Sequence, residues 1–162
     1  MKVTALEEYG LRCMILLAKS NQSMTLPEIS AKEGLSLPYA GKLLMILKQA
    51  GLVKAVRGRR GGYVLSKPSQ EITLSEIFSA LGEPVFGPTH CERYSGDGDC
   101  CVHTEDCTVR DVWGAFNEFV SGYLDRVNLA ELANGKKELK VNSDANPEEH
   151  KSIKPENNIL NS

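Results

Sequence analysis

Two short helical segments, each with its own start and stop signals, most constrain the fold of this chain. The segment that begins at residues 25–28 has a Thr-Leu-Pro-Glu capping box, and Gly34 ends it. Ser36 begins the second segment, which ends at Gly51. The apolar residues of the second segment lie on one helix face and are Ala40, Leu43, Leu44 and Leu47. Two such helices joined by a short turn that contains glycine are typical of a helix-turn-helix.

The segments around this helix pair predict a wing and two further helices. Residues 52–56 alternate in the manner of a strand, and residues 63–66 can return antiparallel to them across the glycine- and arginine-rich turn at residues 57–62. A hairpin directly after a helix-turn-helix is a wing. An amphipathic helix over residues 2–20 precedes the pair, and a second capping box at residues 73–76 begins another helix.

The charges of the chain are divided between its two parts. Residues 1–67 hold 11 Lys and Arg against 4 Asp and Glu, a balance of +7, whereas residues 68–162 have a balance of −9. A local positive surplus attracts polyanions, and acidic groups farther away than a Debye length of ~8–10 Å do not cancel it. Because the basic part coincides with the predicted winged domain, we expect double-stranded DNA as its partner.

The predicted contacts with DNA follow from the docking of a helix-turn-helix. Its second helix enters the major groove with its first turns facing the base edges. The N-terminus of the first helix suits a phosphate contact, and a wing tip of arginines beside glycines can enter the minor groove. The predicted DNA-binding residues are Thr25, Ser36, Pro38, Tyr39, Lys42, Arg57, Arg59, Arg60 and Gly61.

Four of the five cysteines lie within residues 91–107, a polar segment rich in glycine and aspartate. The N-terminus lacks the long apolar run of a signal peptide and no stretch approaches membrane-spanning length, so we expect a cytoplasmic protein without a membrane partner. In a reducing cytosol, grouped thiols more often bind metal or sense redox state than form structural disulfides. Cys101, His103 and Cys107 could hold a structural zinc ion. Alternatively, the adjacent Cys100 and Cys101 could exchange disulfides with Cys91 or Cys107 in a metal-free thiol switch.

The C-terminal part of the chain predicts one long helix and a tail. Thr108, with Asp111 three positions on, predicts the N-cap of a helix over residues 109–133. Its apolar seam consists of Val109, Val112, Trp113, Phe116, Val120, Tyr123, Leu124 and Val127. A seam of this length exceeds what a small winged domain can cover, so we interpret it as a dimer interface rather than as packing within one chain.

Together these features predict a mainly α fold with a small β-hairpin. We divide the chain into a winged helix-turn-helix DNA-binding domain (residues 1–83), a cysteine-rich loop (84–107), a dimerisation helix (108–134) and a disordered tail (135–162). Cys13, on the apolar face of the first helix, is expected in the core. The sequence shows no nucleophile–base pair, phosphate-cradling glycine loop or dinucleotide fingerprint, which argues against an enzyme.

The chain resembles the IscR/NsrR/RirA-type winged-helix regulators over about residues 1–133. The most specific shared feature is an Arg-Gly-x-x-Gly-Gly-Tyr wing at residues 57–63 joined to a downstream loop of cysteines and Trp113. Residues 34–39 and 72–77 also resemble that family. The resemblance implies a homodimeric bacterial transcription factor that binds a palindromic promoter site and holds one iron–sulfur cluster per subunit, [2Fe-2S] or [4Fe-4S].

The resemblance also implies the cluster ligands. Cys101 and Cys107 have the family's spacing for the last two cysteines, and Cys91 takes the first position. IscR-like members use a histidine three residues after the last cysteine, where this chain has Arg110. NsrR-like members use an acidic side chain from the N-terminal helix of the partner subunit, and Glu8 lies at the matching place.

The predicted function is a homodimeric DNA-binding transcriptional regulator whose promoter affinity is controlled by an iron–sulfur cluster that senses redox state, nitric oxide or iron supply. Loss of the cluster is expected to shift the two recognition helices from the one-turn spacing of their half-sites, ~34–36 Å in this class of dimer. The alternative is a winged-helix repressor that contains zinc or works as a cluster-free thiol switch.

Overall fold

The protein folds as a mainly α domain with one β-hairpin, as predicted. The structure is a computed structural model that describes residues 3–20, 22–58, 61–82, 101, 103 and 106–135. Its elements are α1 (Ala5–Ser20), α2 (Leu26–Glu33), α3 (Leu37–Gln49), β1 (Val53–Val56), β2 (Gly62–Leu65), a 3-10 turn (Ser69–Glu71), α4 (Leu74–Leu81), α5 (Thr108–Arg126) and α6 (Leu129–Ala133). Most of the predicted cysteine-rich loop, and the predicted tail from residue 136 onward, lie outside the described residues.

Helix α1 packs against α2, α3, α4 and α6. Its buried face carries Gly10, Cys13, Met14 and Leu17. Gly10 allows a close approach of α1 and α4, because a Cβ atom at this position would overlap the side chain of Leu81. The shared core further includes Ile29, Leu43, Leu44, Leu47, Leu52, Val53, Ile72, Leu74, Ile77 and Leu129.

Helices α2 and α3 form the predicted helix-turn-helix. Gly34 ends α2 in the left-handed conformation with φ 66°, which favours glycine, and Ser36 caps α3. The four residues predicted to form the apolar stripe of α3 are all buried. Helix α3 ends at Gln49, two residues before the predicted end, and Gly51 with φ 74° leads the chain into β1.

The predicted wing is present, and it is attached to the start of α2. Strands β1 and β2 are antiparallel, with Val53 opposite Leu65 and Val56 opposite Gly62. Met24 adds a bridge to Tyr63, in which its N–H donates to the Tyr63 carbonyl at 3.0 Å and its carbonyl accepts from the Tyr63 N–H at 2.7 Å. The part of β2 nearest the wing tip therefore lies beside Met24, the residue that precedes Thr25.

The predicted N-cap of the long C-terminal helix is wrong by one residue. Cys107, rather than Thr108, occupies the N-cap of α5. The Cys107 Sγ atom accepts a hydrogen bond from the backbone N–H of Arg110 at 3.4 Å. A sulfur acceptor thus takes the role that an oxygen usually has at this position.

The prediction of a single helix over residues 109–133 is also wrong. Helix α5 ends before Val127, and Asn128 caps the separate helix α6. The break forms because this segment bridges to the start of α4: Leu74 donates to the Val127 carbonyl at 2.9 Å, and Leu129 donates to the Ile72 carbonyl at 2.8 Å. Val127 and Leu129 are buried in the core as a result, so Val127 does not belong to the exposed seam.

Helix α5 presents an apolar surface to solvent in the single chain. None of its residues is buried, and its exposed large apolar residues are Val109, Val112, Trp113, Phe116 and Phe119. The rings of Trp113 and Phe116 are in edge contact, with centroids 6.2 Å apart. Only near its C-terminal end does the helix pack on the core, through Tyr123 and Leu124. Across the described part of the chain, no helix has both the length and the apolar character needed to cross a membrane.

Candidate nucleic-acid interface and thiol site

Thr25 and Glu28 form a complete capping box at the N-terminus of α2. The backbone N–H of Thr25 donates to the Glu28 carboxylate at 2.7 Å, and the Thr25 hydroxyl donates to the same carboxylate at 2.8 Å. These hydrogen bonds, the backbone one first, hold the pKa of Glu28 below its ordinary value. Thr25 is exposed, but its hydroxyl is already engaged, so a phosphate at this position would compete with Glu28 for it.

The start of α3 exposes most of its residues that are predicted to contact DNA. Ser36, Pro38 and Lys42 are exposed, and the Ser36 hydroxyl caps α3 by accepting from the Tyr39 N–H at 3.4 Å. Tyr39 differs from them because it is half-buried and packs against the core. Its ring is in edge contact with the ring of Tyr9 on α1, with centroids 6.0 Å apart.

The wing tip is built around glycines. Arg57 is exposed, and Gly58 has φ 121°, a conformation that side chains disfavour. The Gly61 N–H donates to the Gly58 carbonyl at 2.8 Å, and a Cβ atom on Gly61 would meet the carbonyl oxygens of Val56 and Gly58 at 2.8 and 2.9 Å. The turn therefore needs glycine at residue 61 for its own geometry. The predicted contacts of Arg59 and Arg60 lie outside the described residues.

Two of the predicted thiol ligands are described. Cys101 and Cys107 are free cysteines of intermediate exposure, and His103 is exposed. Cys91, the third predicted thiol ligand, and Cys100, predicted for the thiol switch, lie outside the described residues. Within the part of the chain that the structure covers, no three potential metal ligands come together.

Glu8, the predicted fourth ligand, is exposed on α1 and paired within its own chain. Its Oε1 atom lies 2.8 Å from Arg12 Nε, and both side chains are about half exposed. The Arg12 guanidinium lies over the ring of Tyr9, 5.6 Å from its centroid. Sequence reasoning missed Arg12, although an acid and a base four residues apart on a helix are a recognised pairing signal.

Cys13 is fully buried, as predicted. Burial, with a further contribution from the Glu33 carboxylate, raises the pKa of its thiol to about 12. A thiol that stays protonated and inaccessible is a poor metal ligand. Cys13 therefore differs from Cys101 and Cys107, which are partly exposed.

Sequence reasoning also missed two exposed apolar residues on α3. Leu37 is 48% exposed and Met45 is 54% exposed. The position of Met45 off the buried stripe could have shown this, whereas Leu37 has the spacing of the stripe, three residues before Ala40, and is exposed in the first turn of the helix. Residues 37, 41 and 45 follow one another at intervals of four. This face, defined by Leu37, Gly41 and Met45, is called the outer row of α3 below.

Comparison with known proteins connects this architecture with transcriptional regulators. Residues 3–135 match the Rrf2 family, described as an iron-dependent transcriptional regulator. The chain is 30% identical over 161 residues to the HTH-type transcriptional regulator IscR of Cronobacter sakazakii, covering 98% of this chain and 96% of that protein. It is 34% identical over 143 residues to IscR of Serratia proteamaculans, covering 87% of this chain and 84% of that protein.

Two solved structures have the same fold. The IscR of T. potens is similar with a TM-score of 0.66 and 27% identity, covering 85% of this chain and 89% of that one. CymR, the global cysteine regulator of B. subtilis, is similar with a TM-score of 0.66 and 31% identity, covering 83% of this chain and 97% of that one.

Proposed function

Because the chain belongs to the Rrf2 family of iron-dependent transcriptional regulators, we propose that it binds a palindromic promoter site as a homodimer and that an iron–sulfur cluster controls its affinity for DNA. The predicted family is confirmed, and the chain is a DNA-binding transcriptional regulator rather than an enzyme. We place it in the cytoplasm, together with the DNA that it regulates. The observation that carries the proposal is a winged helix-turn-helix in the same chain as the free thiols Cys101 and Cys107, of which Cys107 caps a helix with an exposed apolar face.

The proposed DNA surface combines the start of α3 with the wing. Lys42 and Arg57 are exposed, and no carboxylate pairs with either of them within the described part of the chain. The bridge between Met24 and Tyr63 joins the wing to the N-terminus of α2. The wing and the start of α2, which are both proposed to contact phosphates, are therefore held next to each other. This arrangement supports an approach in which α3 enters the major groove while the wing follows the backbone or minor groove.

A second copy of the chain is the proposed partner of α5. The exposed apolar residues of α5 recur at the spacing of one helix face and are Val109, Val112, Trp113, Phe116 and Phe119. Contiguous exposed apolar residues of this kind mark interaction sites. A closed pair of identical helices covers such a surface without leaving a new one open. The pairing would also bring two winged domains together on one palindromic site.

The proposed ligands are Cys91, Cys101 and Cys107 of one subunit and Glu8 of the other. Thiolates are the ordinary ligands of iron–sulfur clusters, and Cys101 and Cys107 are free and partly accessible. A bound cluster would supply a centre that reacts with oxidants and nitric oxide. To act as the fourth ligand, Glu8 must exchange Arg12 for iron, and exposure of this ion pair makes the exchange inexpensive.

A thiol switch without a cluster is the second candidate. The similarity to CymR, which has the same fold and is described as a global cysteine regulator, favours this candidate. In this chain the exchange would involve Cys100 or Cys101 with Cys91 or Cys107. Zinc held by Cys101, His103 and Cys107 remains the third possibility for the same loop.

Anaerobic purification tests the cofactor directly. Protein with a cluster absorbs visible light, contains iron and sulfide, and bleaches in air, whereas a zinc or thiol protein is colourless. The variants Cys91→Ala, Cys101→Ala and Cys107→Ala should lose the absorbance, and Cys13→Ala is the matched control that should keep it. If all three loop variants retain their colour, the ligand assignment is wrong. A colourless wild type whose DNA affinity changes with thiol oxidation would favour the switch.

A second test concerns DNA binding. The double variant Arg59→Ala/Arg60→Ala should weaken binding to every duplex and lower the salt dependence of the binding constant by up to two phosphate contacts, since each neutralised phosphate contributes about 0.9 to the log–log slope. Gel-shift titrations at several salt concentrations measure this effect. Unchanged affinity and slope would remove the wing from the interface.

A further inference from the structure

The outer row of α3 is apolar although it faces solvent. Leu37 and Met45 expose about half of their surface, whereas Ala40, Leu43, Leu44 and Leu47 of the same helix are buried in the core. Gly41 lies between them at the same helical interval. A Cβ atom at Gly41 would meet only Leu26 Cδ2, at the ordinary contact distance of 3.7 Å, so packing does not require glycine there. The row is thus two apolar side chains with a gap between them.

The same helix carries few groups that can read bases through hydrogen bonds. Side chains that read bases with paired hydrogen bonds are Arg, Lys, Asn and Gln. Residues 37–45, which span the outer row, contain only Lys42 among them, and Lys48 and Gln49 lie in the last turn of α3. The Ser36 hydroxyl caps the helix, and Tyr39 is half-buried against Tyr9. The remaining form of direct readout in the major groove is apolar contact with the 5-methyl group of thymine.

We propose that Leu37 and Met45 recognise thymine methyl groups in the major groove, with the gap at Gly41 admitting a methyl group between them. This inference rests on the proposed entry of α3 into that groove. The positive surplus of residues 1–67 and exposed Lys42 identify DNA, rather than another protein, as the occupant of this row. The operator half-sites therefore contain thymines where α3 docks, and these thymines contribute to specificity.

Replacement of thymine by deoxyuridine tests the proposal, because it removes only the methyl group. The probe is a duplex selected by the wild-type protein from a random-sequence pool. Each half-site thymine is then replaced in turn, with flanking thymines as controls. We expect about a fourfold loss of affinity for each methyl group in contact with the outer row, from the free energy of burying one such group.

Three variants of the outer row connect the methyl effect with named side chains, and Lys42→Ala is their control. Leu37→Ala and Met45→Ala should bind the thymine duplex more weakly and lose most of the difference between thymine and deoxyuridine, whereas Leu37→Met should keep it. Lys42→Ala should weaken binding to both duplexes by the same factor, because it neutralises phosphate. Thermal unfolding checks that the variants fold, which their half-exposed positions favour.

The outcomes separate this inference from the proposed function. Failure of the wild type to select any duplex would contradict the proposed DNA-binding mode, and the inference with it. Selection of an operator whose half-site thymines tolerate deoxyuridine would overturn the inference alone. A methyl effect that persists undiminished in both alanine variants would also overturn it, because the effect would then come from DNA shape.

Discussion

The ring of Tyr9 on α1 meets the ring of Tyr39 on α3 edge to face, with an interplanar angle of 90° and centroids 6.0 Å apart. Tyr9 follows Glu8 in the chain, and the Arg12 guanidinium lies over the Tyr9 ring. One aromatic side chain therefore stands between the ion pair of Glu8 and the helix proposed to enter DNA. If Glu8 exchanged its partner Arg12 for another group, the contact between Arg12 and Tyr9 would change, and Tyr9 packs directly on Tyr39 of α3.

The first prediction concerns this contact. Tyr9→Ala and Tyr39→Ala should each destabilise the protein, and the double variant should lose less than the sum of the two. The expected coupling is about 0.5–1.5 kcal/mol, the usual contribution of an aromatic pair. Denaturant unfolding of the four proteins measures it. Additivity within about 0.3–0.5 kcal/mol would show that the two rings do not support each other.

The second prediction compares two helical glycines. Gly10→Ala should destabilise the fold by about 1–3 kcal/mol, because the new Cβ atom would overlap Leu81 across the contact of α1 and α4. Gly114→Ala is the matched control: nothing lies within 4 Å of its Cβ position, so alanine should stabilise α5 by up to about 1 kcal/mol. Thermal unfolding distinguishes the two. Gly10→Ala should cost less in a Leu81→Ala background than in the wild type, and an equal cost in both backgrounds would place the strain elsewhere.

The third prediction concerns pH and the cap of α4. The hydrogen bond from Lys67 Nζ at 2.6 Å, followed by that from the Thr73 N–H at 2.9 Å, holds the pKa of Glu76 below its ordinary value. A carboxyl with a lowered pKa stabilises the fold above its unfolded pKa of about 4.3, and this stabilisation is lost as the pH falls further.

The measurement for this cap is the unfolding free energy of wild type and Glu76→Gln between neutral pH and pH about 3. The difference between the two proteins should be largest near neutral pH and shrink below pH about 4.3. Thr73→Ala, which removes the N-cap hydroxyl, should cost about 1 kcal/mol. A difference between wild type and Glu76→Gln that does not change with pH would exclude a charged role for this carboxylate.

Sequence patterns predicted the winged domain well because its signals are local. The capping boxes at Thr25 and Thr73 and the turn at Gly34 are formed by residues close together in the chain, and all three are present. The break at Val127 could not be predicted in this way. It depends on hydrogen bonds to residues around Thr73, more than fifty positions earlier, which override the helical period of the seam.

The candidate site was predicted less completely, for a different physical reason. The cysteine spacing indicates which thiols could share a centre, but the proposed role of Glu8 requires a second subunit, and its pairing with Arg12 arises only when α1 is folded. The outer row of α3 was missed because an apolar residue on an amphipathic helix is normally taken for core. Leu37 continues the spacing of the buried stripe but is exposed in the first turn of α3, and Met45 lies off the stripe.

The last prediction separates the buried cysteine from those of the C-terminal part. Burial first, and then the nearby Glu33 carboxylate, raise the pKa of Cys13 to about 12, so its thiol stays protonated at neutral pH. Iodoacetamide at pH about 8 should therefore alkylate Cys101 and Cys107 in native, metal-free protein and spare Cys13, because only the thiolate reacts. Peptide mass spectrometry locates the label, and the same reaction in denaturant should include Cys13.

The raised pKa of Cys13 also predicts a pH dependence of stability. The folded state holds this proton more tightly than the unfolded state, whose cysteine pKa is about 8.5, so the stabilisation is complete below that pH and is lost as the pH rises toward 12. The stability of wild type relative to Cys13→Ala should fall over the alkaline range and stay constant at neutral pH. Alkylation of native Cys13 at the rate of Cys107 would show instead that the core opens around α1, and Cys13 would then have to be reconsidered as a ligand.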